Sequence, residues 1–429
     1  MTRPRVVVTG LGVVCALGHN VADFWDRLIA GACGITPIDL FSTEGYRTKS
    51  AAQIKDLDWD APFAPRLRRR LSRCDRLAVL AAREALASAG LNPLPIPAEH
   101  VAVVLGGGAG GMLSAEIHRE RILKGKPRQA DPNLLLSFGG ANISDAVAAD
   151  AGAAGPRTTV VTACSSSATS IGYAADLIRD GRCNVAIAGG SDAMSRLTFA
   201  GFNALRSVDP DRCRPFDLNR KGLSLGEGAA MLILEDYEHA IARSATILAE
   251  FGGYAITCDA YHMTAPEPSG DGAARCMAAA LADAGLTPAD IGYINAHGTA
   301  TRFNDIVETT AIKQVFGDRA NSIPVSSIKA AIGHCLGAAG CIETLALVLA
   351  LQQGILPPTI NYETPDPACD LDYIPNQARR CPFNHGLTNS FAFGGNNTSI
   401  IMSRFEPVTA PPAAQSEVTG HATEREGHE

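Results

Sequence analysis

Thr158-Thr159-Val160-Val161-Thr162-Ala163-Cys164-Ser165-Ser166-Ser167-Ala168 is the stretch that decides how this chain folds. A β-branched run stops at a cysteine and passes directly into small residues, after which Ile171, Ala174, Ala175 and Ile178 recur at helical spacing. Cys164 therefore stands at a strand-to-helix turn. The unpaired N–H groups and positive end of a helix dipole favour thiolate, so the expectation is a pKa below the value of about 8.5 for free cysteine. The competing reading is a small buried core thiol, since the chain has twelve cysteines.

Working outward, the chain repeats one sentence. A helical segment with Leu77, Leu80, Ala81, Ala85 and Leu86 ends at Ala89-Gly90-Leu91. A proline loop follows, then the strand His100 to Leu105 and the glycine turn 106–111. Later, Cys276 to Leu281 leads to Ala284-Gly285-Leu286 and Pro288, then to the strand Ile291 to Ala296, which ends at His297-Gly298-Thr299. A repeat of this length points to a duplicated domain rather than a solenoid. The strand 245–252 echoes the N-terminal one, and 323–329 occupies the slot of the strand before Cys164. Small-residue helices follow at 165–179 and 337–351, and a further strand is read at 184–189. Strands alternating with helices predict an α/β fold with parallel-type sheets covered on both faces. The halves are placed at 1–243 and 244–405. Residues 406–429, rich in Pro, Ala, Ser, Thr and Glu, are expected to form a disordered tail. Residues 5–18 read as a strand and a glycine turn at Gly10-Leu11-Gly12. This is no dinucleotide fingerprint, because the third glycine position is Cys15.

At 429 residues, 46% hydrophobic and 19% charged, the chain can bury two fused cores. A net charge of -7 and a pI near 5.8 exclude a general nucleic-acid or acidic-membrane binder. With neither an N-terminal leader pattern nor an apolar run approaching the ~20 residues of a membrane span, a cytoplasmic protein is expected. The cysteines are scattered without CxxC pairs, so neither a disulfide framework nor a zinc site is expected.

Four turns carry polar residues beyond what a turn requires: Cys164, the loop 295–301 with His297, the segment 329–334 with Lys329 and His334, and the loop 389–397. A cysteine can hold an acyl group as a thioester, and two neutral imidazoles can donate to an enolate oxygen. The Phe393-Gly394 turn leaves backbone N–H free for an oxyanion. Lys329 and Glu343 lie in otherwise apolar, small-residue elements, and a buried pair holding the lysine near the histidines is favoured over two solvated charges. The run Arg66, Arg68, Arg69, Arg70, Arg73 and Arg76 is either a solvated helix face or a docking patch for an acidic partner.

The motifs Thr-Ala-Cys-Ser-Ser, Asn-Ala-His-Gly-Thr-Ala-Thr, Ser-Ile-Lys-Ala-Ala-Ile-Gly-His, Gly-Ala-Ala-Gly-Cys-Ile-Glu and Asn-Ser-Phe-Ala-Phe-Gly-Gly-Asn-Asn, in that order, resemble the β-ketoacyl-[acyl carrier protein] synthases. The likeness is strongest to the elongating type II branch and to ketosynthases of type II polyketide and aryl-polyene pathways, and it covers residues 3–404. It implies a thiolase-like fold: two βαβαβαββ halves in a five-layer αβαβα sandwich, paired as a homodimer or with a chain-length-factor subunit. It also implies roles. Cys164 would take the acyl chain from an acyl carrier protein, with the N–H groups of Cys164 and Phe393 as oxyanion hole. His297 and His334 would assist decarboxylation of a malonyl thioester, and Lys329 paired with Glu343 would organise them. Phe393 would gate the acyl pocket, with Phe391 and Gly394 in the same substrate-binding loop, and Thr299 and Thr301 would line the pantetheine passage. Arg66, Arg68, Arg69 and Arg206 are the expected carrier-protein contacts, and no metal or redox cofactor is implied. Two departures stand out: Asn396 where the family commonly has threonine, and Ala109 where a bulkier aliphatic residue often borders the pocket. A thiolase proper would need a second cysteine in 389–397, which has none. An initiating synthase would carry asparagine at position 297. A non-catalytic chain-length factor would lack the nucleophile.

Overall fold

A computed structural model of the chain describes residues 3–407, so that the expected tail, 406–429, lies outside the described residues except for its first two. Ten strands form the frame: β1 (Val6–Cys15), β2 (Val101–Gly106), β3 (Arg157–Val160), β4 (Val185–Asp192), β5 (Gly228–Asp236), β6 (Ala249–Cys258), β7 (Ile291–Asn295), β8 (Val325–Ser326), β9 (His385–Phe391) and β10 (Asn396–Ser403). The spatial order is β3-β2-β4-β5-β1 in the first half and β8-β7-β9-β10-β6 in the second, which is the same order of third, second, fourth, fifth, first. The pairings match as well. The first, fifth and fourth strands of each half pair antiparallel, and the fourth, second and third pair parallel. The halves meet where β1 runs antiparallel to β6 through Val7 with Glu250 and Val8 with Ala249. The duplication read from the sequence is a repeated topology.

Six helices fill the layers: α1 (Arg73–Ser88), α2 (Asn142–Ala151), α3 (Ser166–Arg179), α4 (Asp271–Ala284), α5 (Asn304–Phe316) and α6 (Ala339–Gln353). Their sequences dictate which layer each takes. In α6 every side chain from Ala339 to Leu351 is buried, so the helix must be covered all round, and it lies between the two sheets beside α3. The outer helices bury one face only. α1 packs on the first sheet with α2, and α4 and α5 pack on the second, giving the αβαβα sandwich. α1 starts sharply because Ser72 and Asp75 form a reciprocal capping box.

The N-terminal reading needs one correction. β1 runs straight through Gly10 and Gly12, and no turn occurs there. The glycines serve close packing instead: a Cβ on Gly10 would lie 2.2 Å from the Ala85 carbonyl oxygen of α1, and one on Gly12 2.0 Å from that of Ala81. A second correction concerns apolar length. The 18 residues Leu336–Gln353 do meet the length and composition of a membrane-crossing helix, and 89% of that window is buried inside the protein. All twelve cysteines are free, nine of them buried.

Candidate active site

β3 ends at Val160, and Ala163–Ser165 form a single 3-10 turn that leads into α3. Ala163 adopts φ +51°, a conformation disfavoured for a side chain with a Cβ. It is held there by Ser166, whose hydroxyl donates to the Ala163 carbonyl (2.6 Å) and accepts the Thr162 N–H (2.9 Å). The second half builds the same turn at Leu336–Ala338 ahead of α6, and its first residue, Leu336, also has φ +51°. Cys164 and Gly337 are therefore counterparts in a duplicated turn, and only one half carries a thiol.

Cys164 is 8% exposed. Burial pushes its thiol up to about 11, opposed by the Lys329 charge and by the Phe393 N–H that reaches the sulfur. The lowered pKa expected from the helix terminus is thus overturned by desolvation, which favours the neutral thiol.

The two histidines arrive on the loops after β7 and β8, and their rings lie 5.5 Å apart, nearly perpendicular. The Leu336 N–H donates to His334 Nδ1 at 3.1 Å. An amide can only donate, so Nδ1 accepts and the proton sits on Nε2. On His297, Nδ1 lies 3.3 Å from the Lys329 ammonium, which likewise has only protons to give. Both rings are thereby assigned the same tautomer, with Nε2–H as a donor. Burial and the Lys329 charge hold both pKa values well below the usual histidine range, so the rings stay neutral. Lys329 also donates to the His297 carbonyl at 2.6 Å and pairs with Glu343, and both charged side chains are essentially inaccessible. Burial pushes Glu343 up to about 7 against the pull of Lys329. The lysine is buried and spans His297 and Glu343, as the small-residue setting of both charges predicts.

Sequence reasoning missed Glu308. One carboxylate oxygen accepts the His297 N–H and the other the Gly298 N–H, each at 2.8 Å, and Asn389 Nδ2 donates at 3.2 Å. Burial pushes this carboxyl up to about 7, while the same two N–H groups favour its charge. The signal was available: Asp305, in the first turn of α5, and Glu308, three residues on, directly follow the His297 loop. Asp305 accepts the Phe216 and Ala300 N–H groups at 2.7 and 3.1 Å.

Cys164, His297, His334, Thr299, Thr301, Phe391 and Phe393 line one cleft together with Phe202, Asp259 and Asn304. The hydroxyls of Thr299 and Thr301 are 3.0 Å apart. Phe393 stacks on Phe202 (centroids 5.7 Å, 23° between planes), a contact the sequence did not disclose. Gly394, at φ +82°, donates its N–H to the Met263 carbonyl at 2.8 Å, which closes the loop over the cleft. Asn396 supports it by donating to the Phe393 carbonyl at 3.4 Å. Ala109 is outside the residues lining this cleft; it sits on the neighbouring loop with its N–H bound to Asp192. The arginine run divides. Arg66, Arg69 and Arg70 are exposed around a surface depression with Asn133. Arg68 is half-buried, its Nε on the Phe63 carbonyl. Arg73 turns inward to the buried Glu227 and covers the Trp59 ring, and Arg76 binds the Trp59 and Arg68 carbonyls. Arg206 is exposed.

The sequence model described as "Beta-ketoacyl synthase, N-terminal domain" matches residues 3–240, and the one described as "Beta-ketoacyl synthase, C-terminal domain" matches residues 248–363. The chain belongs to the beta-ketoacyl synthase family. A relative named 3-oxoacyl-[acyl-carrier-protein] synthase 2, from Synechocystis sp., is 40% identical over 413 residues, covering 95% of this chain and 99% of that one. Among solved structures, "The ishigamide ketosynthase/chain length factor" superposes with a TM-score of 0.89 at 37% identity, covering 94% of this chain and all of that one. A type II polyketide ketosynthase, bound to a hexaketide and in complex with its acyl-carrier protein, superposes with a TM-score of 0.88 at 36% identity and the same coverage. Members of the family with a thiolase-like fold thus share the five-layer plan built here from β1–β10 and α1–α6.

Proposed function

We propose that the protein is a β-ketoacyl-[acyl carrier protein] synthase that condenses a Cys164-bound acyl chain with a malonyl thioester, in fatty-acid or polyketide-type assembly. One observation carries this reading: two neutral imidazoles, each with Nδ1 engaged by a fixed donor and Nε2–H left free, share a cleft with a cysteine at a strand-to-helix turn. In the first half-reaction the Cys164 sulfur attacks the carrier thioester while its thiol proton passes to the departing carrier sulfur, which leaves as the free carrier thiol. In the second, His297 and His334 donate to the malonyl thioester carbonyl, the bond to the carboxylate breaks, and carbon dioxide departs. The electron pair so released becomes the enolate. Its α-carbon attacks the Cys164 thioester, the N–H groups of Cys164 and Phe393 hold the oxyanion, and the Cys164 thiolate is expelled as 3-oxoacyl-carrier forms. Each such donor is worth about 2.7–4 kcal/mol of transition-state stabilisation. Loss of carbon dioxide supplies the driving force, so the scheme calls on no metal or redox group.

The substrates come on an acyl carrier protein, an acidic partner for which exposed Arg66, Arg69 and Arg206 offer opposite charge. A second subunit pairs along the β3 edge. β3 ends the first half-sheet, and around it Phe138, Val161 and Leu197 are each more than half exposed. That subunit is either a copy of this chain or a chain-length factor. The reading of this chain itself as a non-catalytic factor is disfavoured by its intact Cys164, His297 and His334.

The test is intact mass after incubation with a panel of acyl-carrier thioesters, alone and with a co-expressed partner subunit, alongside release of carbon dioxide from malonyl-carrier. Acyl mass added to the wild type and absent from Cys164→Ala is expected. Loading that persists in Cys164→Ala overturns the assignment.

A further inference from the structure

Asp192 is the last residue of β4, fully buried, and unused by the chemistry above. Its carboxylate gathers three backbone amides from distant parts of the chain. Oδ1 accepts the Ala109 N–H at 2.7 Å, and Oδ2 accepts those of Gly108 at 2.9 Å and Gly337 at 2.7 Å. Gly337 is the counterpart of Cys164 in the duplicated turn. Where one half leaves that amide open beside its nucleophile, the other fills it with a carboxylate oxygen. A Cβ on Gly337 would come 2.8 Å from Oδ2 and 2.7 Å from the Gly107 carbonyl carbon, so this contact tolerates no side chain.

The turn Asp192 holds is the one that sets His334. It opens with Leu336 at φ +51°, an unfavourable conformation for leucine, and the Leu336 N–H is the donor on His334 Nδ1. In the first half the corresponding residue, Ala163, is held by Ser166. In the second half Asp192 grips the very next amide. We propose that Asp192 is a positioning residue for His334: by anchoring Gly337 it keeps Leu336 in its left-handed conformation, and so keeps the His334 proton on Nε2. Through Gly108 and Ala109 the same carboxylate ties this turn to the loop after β2. The consequence for catalysis rests on the condensing reading above: Asp192 serves the decarboxylating half-reaction, and its only bearing on Cys164 is a negative charge that disfavours thiolate, so its loss does not slow acylation.

The experiment uses full-length Asp192→Asn with three readouts: acyl loading by intact mass, carbon dioxide release, and the ring-nitrogen spectrum of 15N-histidine-labelled protein, with His334 assigned by His334→Ala. Expected are loading within about threefold of wild type, carbon dioxide release lower by about tenfold or more, and His334 shifting from a single Nε2–H tautomer to a mixture. Adding Leu336→Gly, which removes the conformational penalty, is expected to restore part of the lost release. Should Asp192→Asn not fold, Asp192→Ser is measured with the same expectations. Unchanged carbon dioxide release, or equal losses in both half-reactions with the His334 spectrum unaltered, overturns the proposal. If the wild type neither loads nor releases carbon dioxide while the spectrum changes as expected, the positioning stands and the condensing reading falls.

Discussion

Replacing Lys329 with methionine removes a buried cation from three partners at once: Glu343, the His297 carbonyl and His297 Nδ1. Lys329 is 1% exposed and Glu343 0%, so water cannot take the lysine's place, and the second oxygen of Glu343 already lacks a partner. Breaking a buried pair from one side costs about 3–5 kcal/mol, because a charge is left without compensation. With an unfolding entropy of about 2.1 cal/mol/K per residue, a chain of this size loses roughly 1 kcal/mol per degree, so the melting temperature should fall by about 3–6 °C. The double variant Lys329→Met/Glu343→Leu removes both charges and should recover most of that loss, since apolar replacement of a buried ion pair is often neutral or stabilising. It should nonetheless fail to release carbon dioxide, because His297 Nδ1 has lost its donor. Thermal unfolding and carbon dioxide release, measured on both variants, separate the two roles. A double variant that melts as low as the single one, or that turns over like wild type, refutes the reasoning.

Alkylation of Cys164 by iodoacetamide in the free protein should accelerate by about tenfold per pH unit from pH 7 to 9, because a thiol pushed up to about 11 is still mostly protonated there; a plateau below pH 8 contradicts this. Gly12→Ala should lower stability by about 1–3 kcal/mol or more, read by thermal unfolding, since its Cβ would lie 2.0 Å from the Ala81 carbonyl oxygen and α1 would have to move. Charge reversal at Arg66 and Arg69 should raise KM for carrier-bound acyl groups by about tenfold and leave KM for the same acyl group on free pantetheine unchanged. An equal effect on both substrates removes the arginines from carrier recognition.

Cys164 and the two histidines were legible because each sits where a strand stops, and strand ends can be read from local pattern alone. The Lys329 and Glu343 pairing was legible for a related reason: a charge amid alanine, glycine and leucine has few places to go. Asp192 was not, because it is a single carboxylate that acts by accepting backbone N–H groups, and backbone amides leave no mark in a sequence. Glu308 acts in the same way, and only its place with Asp305 at the start of the helix after the His297 loop marked it. The arginine run failed to declare its sides because the helix stops at Arg68 and a new one starts at Arg73: Arg66 and Arg69 face outward, while Arg73 turns in to Glu227. The Cys164 helix terminus was read correctly as geometry, but burial outweighs its effect on the thiol. Gly10 and Gly12 were taken for a turn because close approach of a helix to a strand demands the same residue.

The place of α6 between the sheets has a consequence for synthesis. Residues 339–353 leave the ribosome before β9 and β10, which begin at His385 and Asn396, so the most apolar helix of the protein emerges while part of its cover is still unmade. Until those last strands pair with β7 and β6, the N-terminal sheet and α3 can cover only one side of it. The nascent chain therefore passes through an interval in which this apolar helix lacks part of its cover, the kind of transiently exposed surface that chaperones bind. Ribosomes stalled short of His385 should carry chains that bind chaperone, and those that have extruded Ser403 should let it go.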